Sequence, residues 1–181
     1  MNKSKSSASK PLALHGETVS ADWVDYNGHM NVAYYVLIFD HATDALLDFL
    51  KLDAAYREHM GGSVFVVESH LTYEREVMGG VAVSVTTQIL GSDAKRLHLF
   101  HRMFETGSEQ IVATNELMIL HMNMNTRRVA PFPEFAATRI NDVLIGHKNL
   151  AKPQQSSRII TIPDCIPTGA AQHNHTLIDK N

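Results

Sequence analysis

The sequence has little thiol chemistry and no long apolar run. Its 181 residues contain one cysteine, Cys165, so it can form no intrachain disulfide and has no C-x-x-C metal spacing. A single free thiol fits a reducing compartment, and we expect a cytoplasmic protein. No stretch approaches the roughly 20 consecutive apolar residues of a membrane-spanning helix, so no membrane association is expected.

Several ligand-binding signatures are also missing. The sequence has no G-x-G-x-x-G or G-K-[ST] to cradle a phosphate, and no H-E-x-x-H or His-rich cluster to hold zinc. Its net charge of -3 gives no reason to expect a nucleic-acid partner. His98 and His101, three residues apart on a predicted strand, point to opposite sides. We therefore expect neither a metal nor another cofactor.

The apolar content, 44%, is enough for one domain with a sizeable core. Residues 1–10 are rich in lysine and serine, and we take residues 1–14 as a flexible leader. Residues 15–133 are the predicted folded domain. Residues 134–181 form a C-terminal extension, predicted to be helical over 134–146 and then mobile or packed against a partner.

The longest periodic segment covers residues 32–50. Its apolar residues recur at three- and four-residue steps, which predicts one helix roughly 28 Å long. Asn27 or Asn31 can cap the start of this helix with a side-chain oxygen. The predicted apolar face consists of Val32, Val36, Phe39, Thr43, Leu46, Leu47 and Leu50.

The remaining elements are predicted strands. A short strand at 17–24 precedes the helix, and four runs with a two-residue period follow it, at 63–75, 81–90, 95–105 and 110–123. Short glycine-bearing turns join these runs, which indicates an antiparallel meander. In the first run, Phe65, Val67, Leu71 and Tyr73 are predicted to share one side. This order predicts an α+β fold, with a five-stranded antiparallel sheet packed on one long helix.

An acidic turn, Asp25-Tyr26-Asn27-Gly28-His29-Met30-Asn31, leads directly into the helix. A carboxylate just before a helix start lies beside free backbone N–H groups, an arrangement that can act on a carbonyl and stabilise an oxyanion. Taken alone, such a turn is more often only a turn and a cap. Gly28 would let the chain approach a ligand without an intervening side chain.

This turn, continued by Val32-Ala33-Tyr34-Tyr35 and the strand meander, resembles the hot-dog-fold acyl-CoA thioesterases of the 4-hydroxybenzoyl-CoA thioesterase type over residues 17–133. That family carries an aspartate three residues before a glycine, then His-x-Asn and an aromatic residue. The resemblance implies a sheet wrapped around the central helix. It also implies a homodimer, or a homotetramer, with active sites at the interface between chains.

The resemblance assigns the catalytic role to Asp25, which would either attack the thioester or activate a water molecule. The implied oxyanion donors are backbone N–H groups near Asn31 and Val32, with Gly28 and His29 completing the catalytic set. His29 is as often a structural residue at such a turn. Many family members have a second aspartate where this chain has Trp23 and a second asparagine where it has Val32, which leaves the acyl group open.

Three further segments, 93–101, 113–118 and 126–133, resemble a narrower group of thioesterases of carnitine and betaine breakdown, some fused to a carnitine dehydrogenase. This resemblance implies betainyl-CoA as substrate, cleaved to glycine betaine and CoA. Aromatic faces and a carboxylate would hold the trimethylammonium group. The candidate substrate-binding residues are Trp23, Tyr26, Tyr34, Tyr35, Glu68 and Tyr73 for the acyl group, and Lys95, Arg96, Arg127 and Arg128 for the CoA phosphates.

Other interpretations stay open from the sequence alone. The aromatic candidates could be packing residues, Glu68 could lie on a solvated sheet face, and the basic residues could simply be solvated. A thioesterase for aromatic or short-chain acyl-CoA is the main alternative function. A non-catalytic acyl-CoA-binding module is another, although Asp25 argues against it, and no motif of a hot-dog dehydratase is found.

Overall fold

The computed structural model describes residues 10–160 of the chain. In order, the elements are β1 (Leu12–Thr18), a 3-10 turn (Ala21–Trp23), α1 (Val32–Leu50), α2 (Ala54–Met60), β2 (Gly62–Tyr73), β3 (Ala82–Ser92), β4 (Arg96–Glu105), β5 (Ile111–Asn123), β6 (Arg128–Val129) and α3 (Glu134–His147). No helix in this described part of the chain is long and apolar enough to cross a membrane.

One antiparallel sheet has the strand order β1-β3-β4-β5-β2, and the two-residue β6 pairs with β5. Helix α1 packs against one face, which we call the inner face, and the opposite face is the outer face. The turn end of the sheet is where β2 ends at Tyr73 and β3 begins. The far end is where β2 begins at Gly62 and β4 begins. The predicted α+β hot-dog architecture is confirmed.

Helix α1 begins at Val32 and ends at Leu50, as the sequence predicts. The Asn31 side chain accepts a hydrogen bond from the Ala33 N–H at 3.0 Å, and Lys51 ends the helix with φ of 64°. The predicted face is partly wrong, because Val32 and Val36 are 58% and 45% exposed. Three- and four-residue spacing fits two neighbouring stripes of α1, one that includes Val32 and Val36 and one that includes Tyr35 and Ile38. The sheet covers the second stripe. The buried stripe is Tyr35, Ile38, Phe39, Ala42, Thr43, Leu46 and Leu50.

The first strand also differs from the prediction. Strand β1 is Leu12–Thr18 and not 17–24, so residues 12–14 of the predicted leader belong to the sheet. Leu12 and Leu14 pack against the core, which explains why the strand starts this early. The second half of the predicted strand instead forms the 3-10 turn, where the Ser20 hydroxyl accepts a hydrogen bond from the Asp22 N–H.

A β-bulge between Val66 and Glu68 reverses the faces of β2. Before the bulge, Val66 pairs with the buried Ile119 and faces inward. After it, Ser69, Leu71 and Tyr73 take the inward positions, opposite Leu117, Asn115 and Ala113. The prediction that Phe65 and Val67 share a side with Leu71 and Tyr73 is therefore wrong, because one extra residue inverts a two-residue alternation.

Helix α3 confirms the predicted helix at 134–146, and its Ala136 and Ile140 close the core at the far end. After α3, the segment from Ala151 to Ser157 contacts the outer face, whereas Ile159 and Ile160 are 82% and 88% exposed. The Ser156 hydroxyl and the Ser157 N–H donate hydrogen bonds to Glu116 of β5, at 3.1 and 2.6 Å. The rest of the predicted mobile extension, residues 161–181, lies outside the described residues.

Candidate active site

The acidic turn is closed by backbone hydrogen bonds. Val24 and Met30 form an isolated antiparallel bridge, and between them the Asp25 N–H donates to the His29 carbonyl at 3.1 Å. The Gly28 N–H donates to the Asp25 carbonyl at 3.0 Å. Gly28 has φ of +85°, a conformation that other residues adopt only with strain, and the space beside it is open. The turn therefore holds the Asp25 backbone in one place.

The connection between β2 and β3 supports this turn from behind. The Met30 N–H donates to the Val77 carbonyl at 2.7 Å, and both residues are buried. A Cβ on Gly79 would lie 3.0 Å from the Val24 side chain, so the two segments are in close contact. The acidic turn is thus fixed to the turn end of the sheet.

The Asp25 carboxylate is tied to the start of α1. Its Oδ1 accepts a hydrogen bond from the Asn27 N–H at 2.8 Å, and its Oδ2 lies 3.4 Å from the Asn31 Nδ2 donor. The Asn31 side-chain oxygen caps the helix by accepting from the Ala33 N–H. One asparagine side chain therefore both caps α1 and orients the partly buried carboxylate.

Hydrogen bonding narrows the candidate oxyanion donors. The Asn31 N–H is already donated to the Trp23 carbonyl at 2.9 Å, which corrects the expectation that it would be free. The Ala33 N–H is donated to the Asn31 side chain. The Val32 N–H, at the first helical position, has no acceptor among residues 10–160. A carbonyl oxygen at Val32 would also gain from the positive end of the helix dipole.

His29 lies at the end of the turn and is partly buried. Its Nδ1 lies 3.4 Å from the Met30 carbonyl, which is the one hydrogen bond found for its ring within the described chain. The Asp25 carboxylate is not among its contacts. The structure therefore places His29 as a residue of the turn.

The aromatic candidates include a stacked pair, one exposed ring, and one buried ring with a half-exposed neighbour. Trp23 and Tyr34 stack on each other, with ring centroids 5.2 Å apart. Tyr26 is 96% exposed. Tyr35 is buried and donates its hydroxyl to the Arg75 carbonyl at 3.2 Å, and the half-exposed Tyr73 meets it edge-on at 5.3 Å.

Helix α1 has two flanks of different character. Successive residues turn by about 100°, so Tyr34 and His41 face the β1 side, where His41 Nδ1 lies 2.9 Å from Glu17 Oε1. We call this side the closed flank. Val32, Val36 and Asp40 face the β2 side, which we call the open flank.

A groove of about 170 Å³ runs along the open flank, between α1 and strands β2 and β5. Its polar side chains include Ser69, whose hydroxyl donates a hydrogen bond to the Asn115 side-chain oxygen at 2.8 Å. Asn115 is buried, and its only sequence signal is that it lies in the segment 113–118 of the narrower resemblance. The groove residues are Val36, Phe39, Asp40, Thr43, Val66, Ser69, Asn115 and Leu117.

Glu68 does not meet the other candidates. It pairs with Met118 and lies on the outer face, in a depression with His70, His98 and Glu116. The sheet separates it from the acidic turn, which lies on the inner side with α1. Within one chain Glu68 therefore does not lie beside Asp25, because the bulge directs it outward.

The basic candidates lie at the far end. Lys95 and Arg96 follow the 11-residue β3, so roughly 33 Å of strand separates them from the turn end. Within one chain they are too remote from Asp25 to share a site with it. Hydrogen bonds from the Lys95 N–H and from Arg96 hold the pKa of exposed Asp93 at about 2. Arg127 and Arg128 are exposed at the same end, just after β5.

A larger cavity, of about 630 Å³, also lies at the far end, between α3 and strands β3 and β4. Its walls include Ile89, Leu144 and His147. Since no residue of the acidic turn lines it, this cavity is separate from the candidate active site.

Comparison with known proteins identifies a family for this chain. Residues 19–140 match the family described as "Thioesterase-like superfamily". The chain is 40% identical to the betainyl-CoA thioesterase of Pseudomonas aeruginosa over 155 residues, which is 86% of this chain and 98% of that protein. It is 38% identical to the L-carnitine dehydrogenase/betainyl-CoA thioesterase of Rhizobium meliloti over 83% of this chain and 30% of that longer protein. A Staphylococcus aureus protein solved in complex with CoA has a TM-score of 0.79 at 32% identity, covering 84% of this chain and 97% of that one.

Proposed function

The chain belongs to the thioesterase-like superfamily, and on that premise we propose that it hydrolyses betainyl-CoA to glycine betaine and CoA with Asp25 as the catalytic carboxylate. Its activity class is acyl-CoA thioesterase. The betainyl group is supported by the Pseudomonas aeruginosa relative named for that substrate, whose length this chain matches almost completely. The CoA portion is supported by the Staphylococcus aureus neighbour that was solved with CoA.

The observation that carries this proposal is the pairing of a fixed carboxylate with a free N–H at the start of α1. Asp25 is oriented by Asn31, and the adjacent Val32 N–H has no acceptor within residues 10–160. A thioester whose carbonyl oxygen accepts from Val32 would present its carbonyl carbon to the carboxylate side. The N–H would then stabilise the negative charge that develops on that oxygen.

Two chemical routes fit this arrangement. In one, a carboxylate oxygen of Asp25 bonds to the carbonyl carbon, the C–S bond breaks, CoA leaves as a thiolate, and water cleaves the resulting anhydride. In the other, Asp25 takes a proton from water while the water oxygen attacks. Single-turnover hydrolysis in ¹⁸O-labelled water tests the first route, because the label enters Asp25 only if the anhydride forms and water attacks its Asp25 carbonyl. Attack of water at the acyl carbonyl labels the product in either route.

The exposed edge of β2 supports a dimer. Within residues 10–160, strand β2 pairs only with β5, and its Val66, Val67 and Tyr73 are 48%, 54% and 48% exposed. A long strand with one unpaired edge and apolar side chains can pair with a second strand. We propose that two copies pair along β2, antiparallel and related by a two-fold axis.

Such a dimer would bring opposite ends of the two sheets together. The far end of one chain would lie beside the turn end of the other, so Arg127 and Arg128 of the second copy would approach Asp25. Arginine binds phosphate groups well through its planar set of donors, so these two residues are our candidates for the CoA phosphates. Lys95 and Arg96 lie at the same end of the sheet and are the further basic candidates for these phosphates.

For the trimethylammonium group, the structure favours Tyr73 over Trp23. One face of the Trp23 ring is covered by Tyr34, on the closed flank. Tyr73 is half-exposed and contacts Tyr35 in the first turn of α1, close to the Val32 N–H. A cation above the Tyr73 ring would gain about 0.5–2 kcal/mol.

The experiment is a comparison of kcat/KM for betainyl-CoA, its neutral isostere 3,3-dimethylbutyryl-CoA, benzoyl-CoA and acetyl-CoA. We expect betainyl-CoA to exceed the neutral isostere by about tenfold or more, Tyr73→Leu to narrow this gap, and Trp23→Leu to leave it unchanged. Equal hydrolysis of the first two would reject the cation site. A preference for benzoyl-CoA would favour the aromatic-substrate alternative, and CoA binding without any hydrolysis would favour a binding module.

A further inference from the structure

Three potential metal ligands meet on the closed flank. His15 and Glu17 are two residues apart on β1, so both point to the same side, toward α1. His15 Nε2 and His41 Nδ1 lie 2.8 and 2.9 Å from the same oxygen, Glu17 Oε1. All three ligand atoms lie within 4.8 Å of one another. Residues from an edge strand and from the central helix thus converge on one point.

We propose that His15, Glu17 and His41 bind one divalent transition-metal ion, with Zn²⁺ as the preferred ion. Two imidazole nitrogens and a carboxylate oxygen are ligands that Zn²⁺ accepts readily, and three protein ligands leave a fourth position for water. The His41 side chain is 40% exposed, which gives the ion a route from solvent. The His15 and Glu17 side chains, 18% and 20% exposed, hold the other ligands in a partly buried position.

The required rearrangement is small. Ligand atoms about 2.0–2.2 Å from a tetrahedral ion are roughly 3.3–3.6 Å apart. The two nitrogen–oxygen distances must therefore increase by about half an ångström. The distance between the two nitrogens, which is at most 4.8 Å, must come to the same tetrahedral value. Rotation of the side chains achieves this without moving either backbone element.

The buried histidine behind the cluster adds no charge that would repel the ion. His101, buried behind the cluster, bonds through its Nδ1 to Thr87 and through its Nε2 to Thr43. Since burial keeps its pKa at about 3, it adds no positive charge near neutral pH. Without metal, the same three residues form an ordinary hydrogen-bonded group, and the experiment has to distinguish these two states.

The proposed ion would act on structure and not on the thioester. His41 lies nine residues beyond Val32, so about 13 Å of helix separates the ion from the start of α1. The ion would instead link the edge strand β1 to the central helix. Its expected effect is a higher thermal midpoint in the presence of Zn²⁺, with hydrolysis unchanged.

The test uses the full chain after treatment with a chelator. Zn²⁺ is titrated by calorimetry, and Co²⁺ is added in parallel because its visible absorption reports four-coordinate geometry. We expect one ion per chain, with affinity falling by roughly 100-fold in both Glu17→Gln and His41→Asn. His59→Asn is the matched control at an exposed histidine outside the cluster, and a double variant, His173→Asn with His175→Asn, removes the two closely spaced histidines near the C-terminus.

The outcomes separate cleanly. Stoichiometric binding that survives in both control proteins and is lost in His41→Asn, with far-ultraviolet circular dichroism unchanged, supports the site. Absence of binding at equimolar Zn²⁺, binding unchanged in His41→Asn, or binding lost in the C-terminal double variant would each overturn the proposal. A Zn²⁺-dependent rise of the thermal midpoint in wild type, absent in Glu17→Gln, is the second expected result.

Discussion

The two flanks of α1 differ in how completely one chain covers them. On the closed flank, His41 contacts Glu17 of β1, and Tyr34 stacks on Trp23. On the open flank, Val32, Val36 and Val66 are 58%, 45% and 48% exposed, and no strand of the described part of the chain pairs with the outer edge of β2. The chain therefore completes its own structure on one side of the helix only.

This difference bears directly on function. The groove of Val36, Ser69 and Asn115 lies on the open flank, and so does the Val32 side chain beside the free N–H. On the closed flank, the side chains of α1 find their partners within the same chain. The uncovered surface of the open flank is where we place the substrate and a second chain. Stability and catalysis are thus expected to respond to substitutions on different sides of one helix.

The largest effect is expected from Asp25→Asn. This change keeps the size of the side chain and an acceptor for Asn31 but removes the charge, so kcat for betainyl-CoA should fall by about 10³-fold or more. Asp22→Asn, an exposed carboxylate three residues earlier, is the matched control and should retain wild-type activity. Near wild-type turnover by a folded Asp25→Asn protein would remove the catalytic assignment.

A second, smaller loss is expected from Val36→Asp on the open flank. Val36 lines the groove next to the β2 edge, so a second copy paired along β2 would cover this flank and desolvate the new charge without a partner. This should weaken association by about 2–3 kcal/mol and lower activity at submicromolar protein by tenfold or more. Light scattering together with the hydrolysis assay measures both effects. Ile145→Asp, at a similarly exposed apolar residue of α3, should change neither. A fully active Val36→Asp monomer would contradict the open-flank interpretation.

The buried core beneath α1 offers a test through acid stability. Burial lowers the pKa of His101 from its ordinary value of 6.5 to about 3. Between these values the unfolded chain binds a proton that the folded chain does not, so stability is full above pH 6.5 and falls as the pH decreases. From pH 6.5 to pH 5 the loss should be about 2 kcal/mol.

Chemical denaturation of His101→Gln across the same range provides the comparison. Glutamine still offers hydrogen bonds to Thr43 or Thr87 but does not titrate, so the pH dependence should be flatter than in wild type. His147, whose pKa burial also lowers, contributes equally to both proteins. Hydrogen bonds and charge from His15 and His41 outweigh burial and lower the pKa of Glu17 below 4.5, so it acts only at lower pH. Equal slopes for the two proteins would show that His101 is not the titrating group.

The sequence predicts features that depend on neighbouring residues. The bounds of α1 follow from the Asn31 cap and an uninterrupted helical period, and both are local. The acidic turn is likewise predictable, since Gly28 with positive φ and Asn31 at the cap are encoded within seven residues. The four strands after the helix follow from glycine turns and two-residue alternation for the same reason.

Features that depend on pairing could not be predicted in this way. One bulged residue in β2 sends Glu68 to the outer face, and nothing in the local alternation marks it. Lys95 and Arg96 are adjacent to a strand that starts at the turn end, yet the length of β3 carries them to the far end. The cluster of His15, Glu17 and His41 joins residues up to 26 positions apart, which no sequence spacing of metal ligands describes.

The most direct test of the open-flank account is a hybrid dimer with the defects on different chains. One chain carries Asp25→Asn, the other carries Arg127→Ala with Arg128→Ala, and co-expression with two affinity tags isolates the mixed species. If Asp25 of one chain works with the arginines of the other, one site in the hybrid is intact, so we predict a wild-type KM and about half the wild-type kcat per dimer. A hybrid that keeps the raised KM of the arginine-deficient parent would show that both groups must lie on the same chain and would contradict the account.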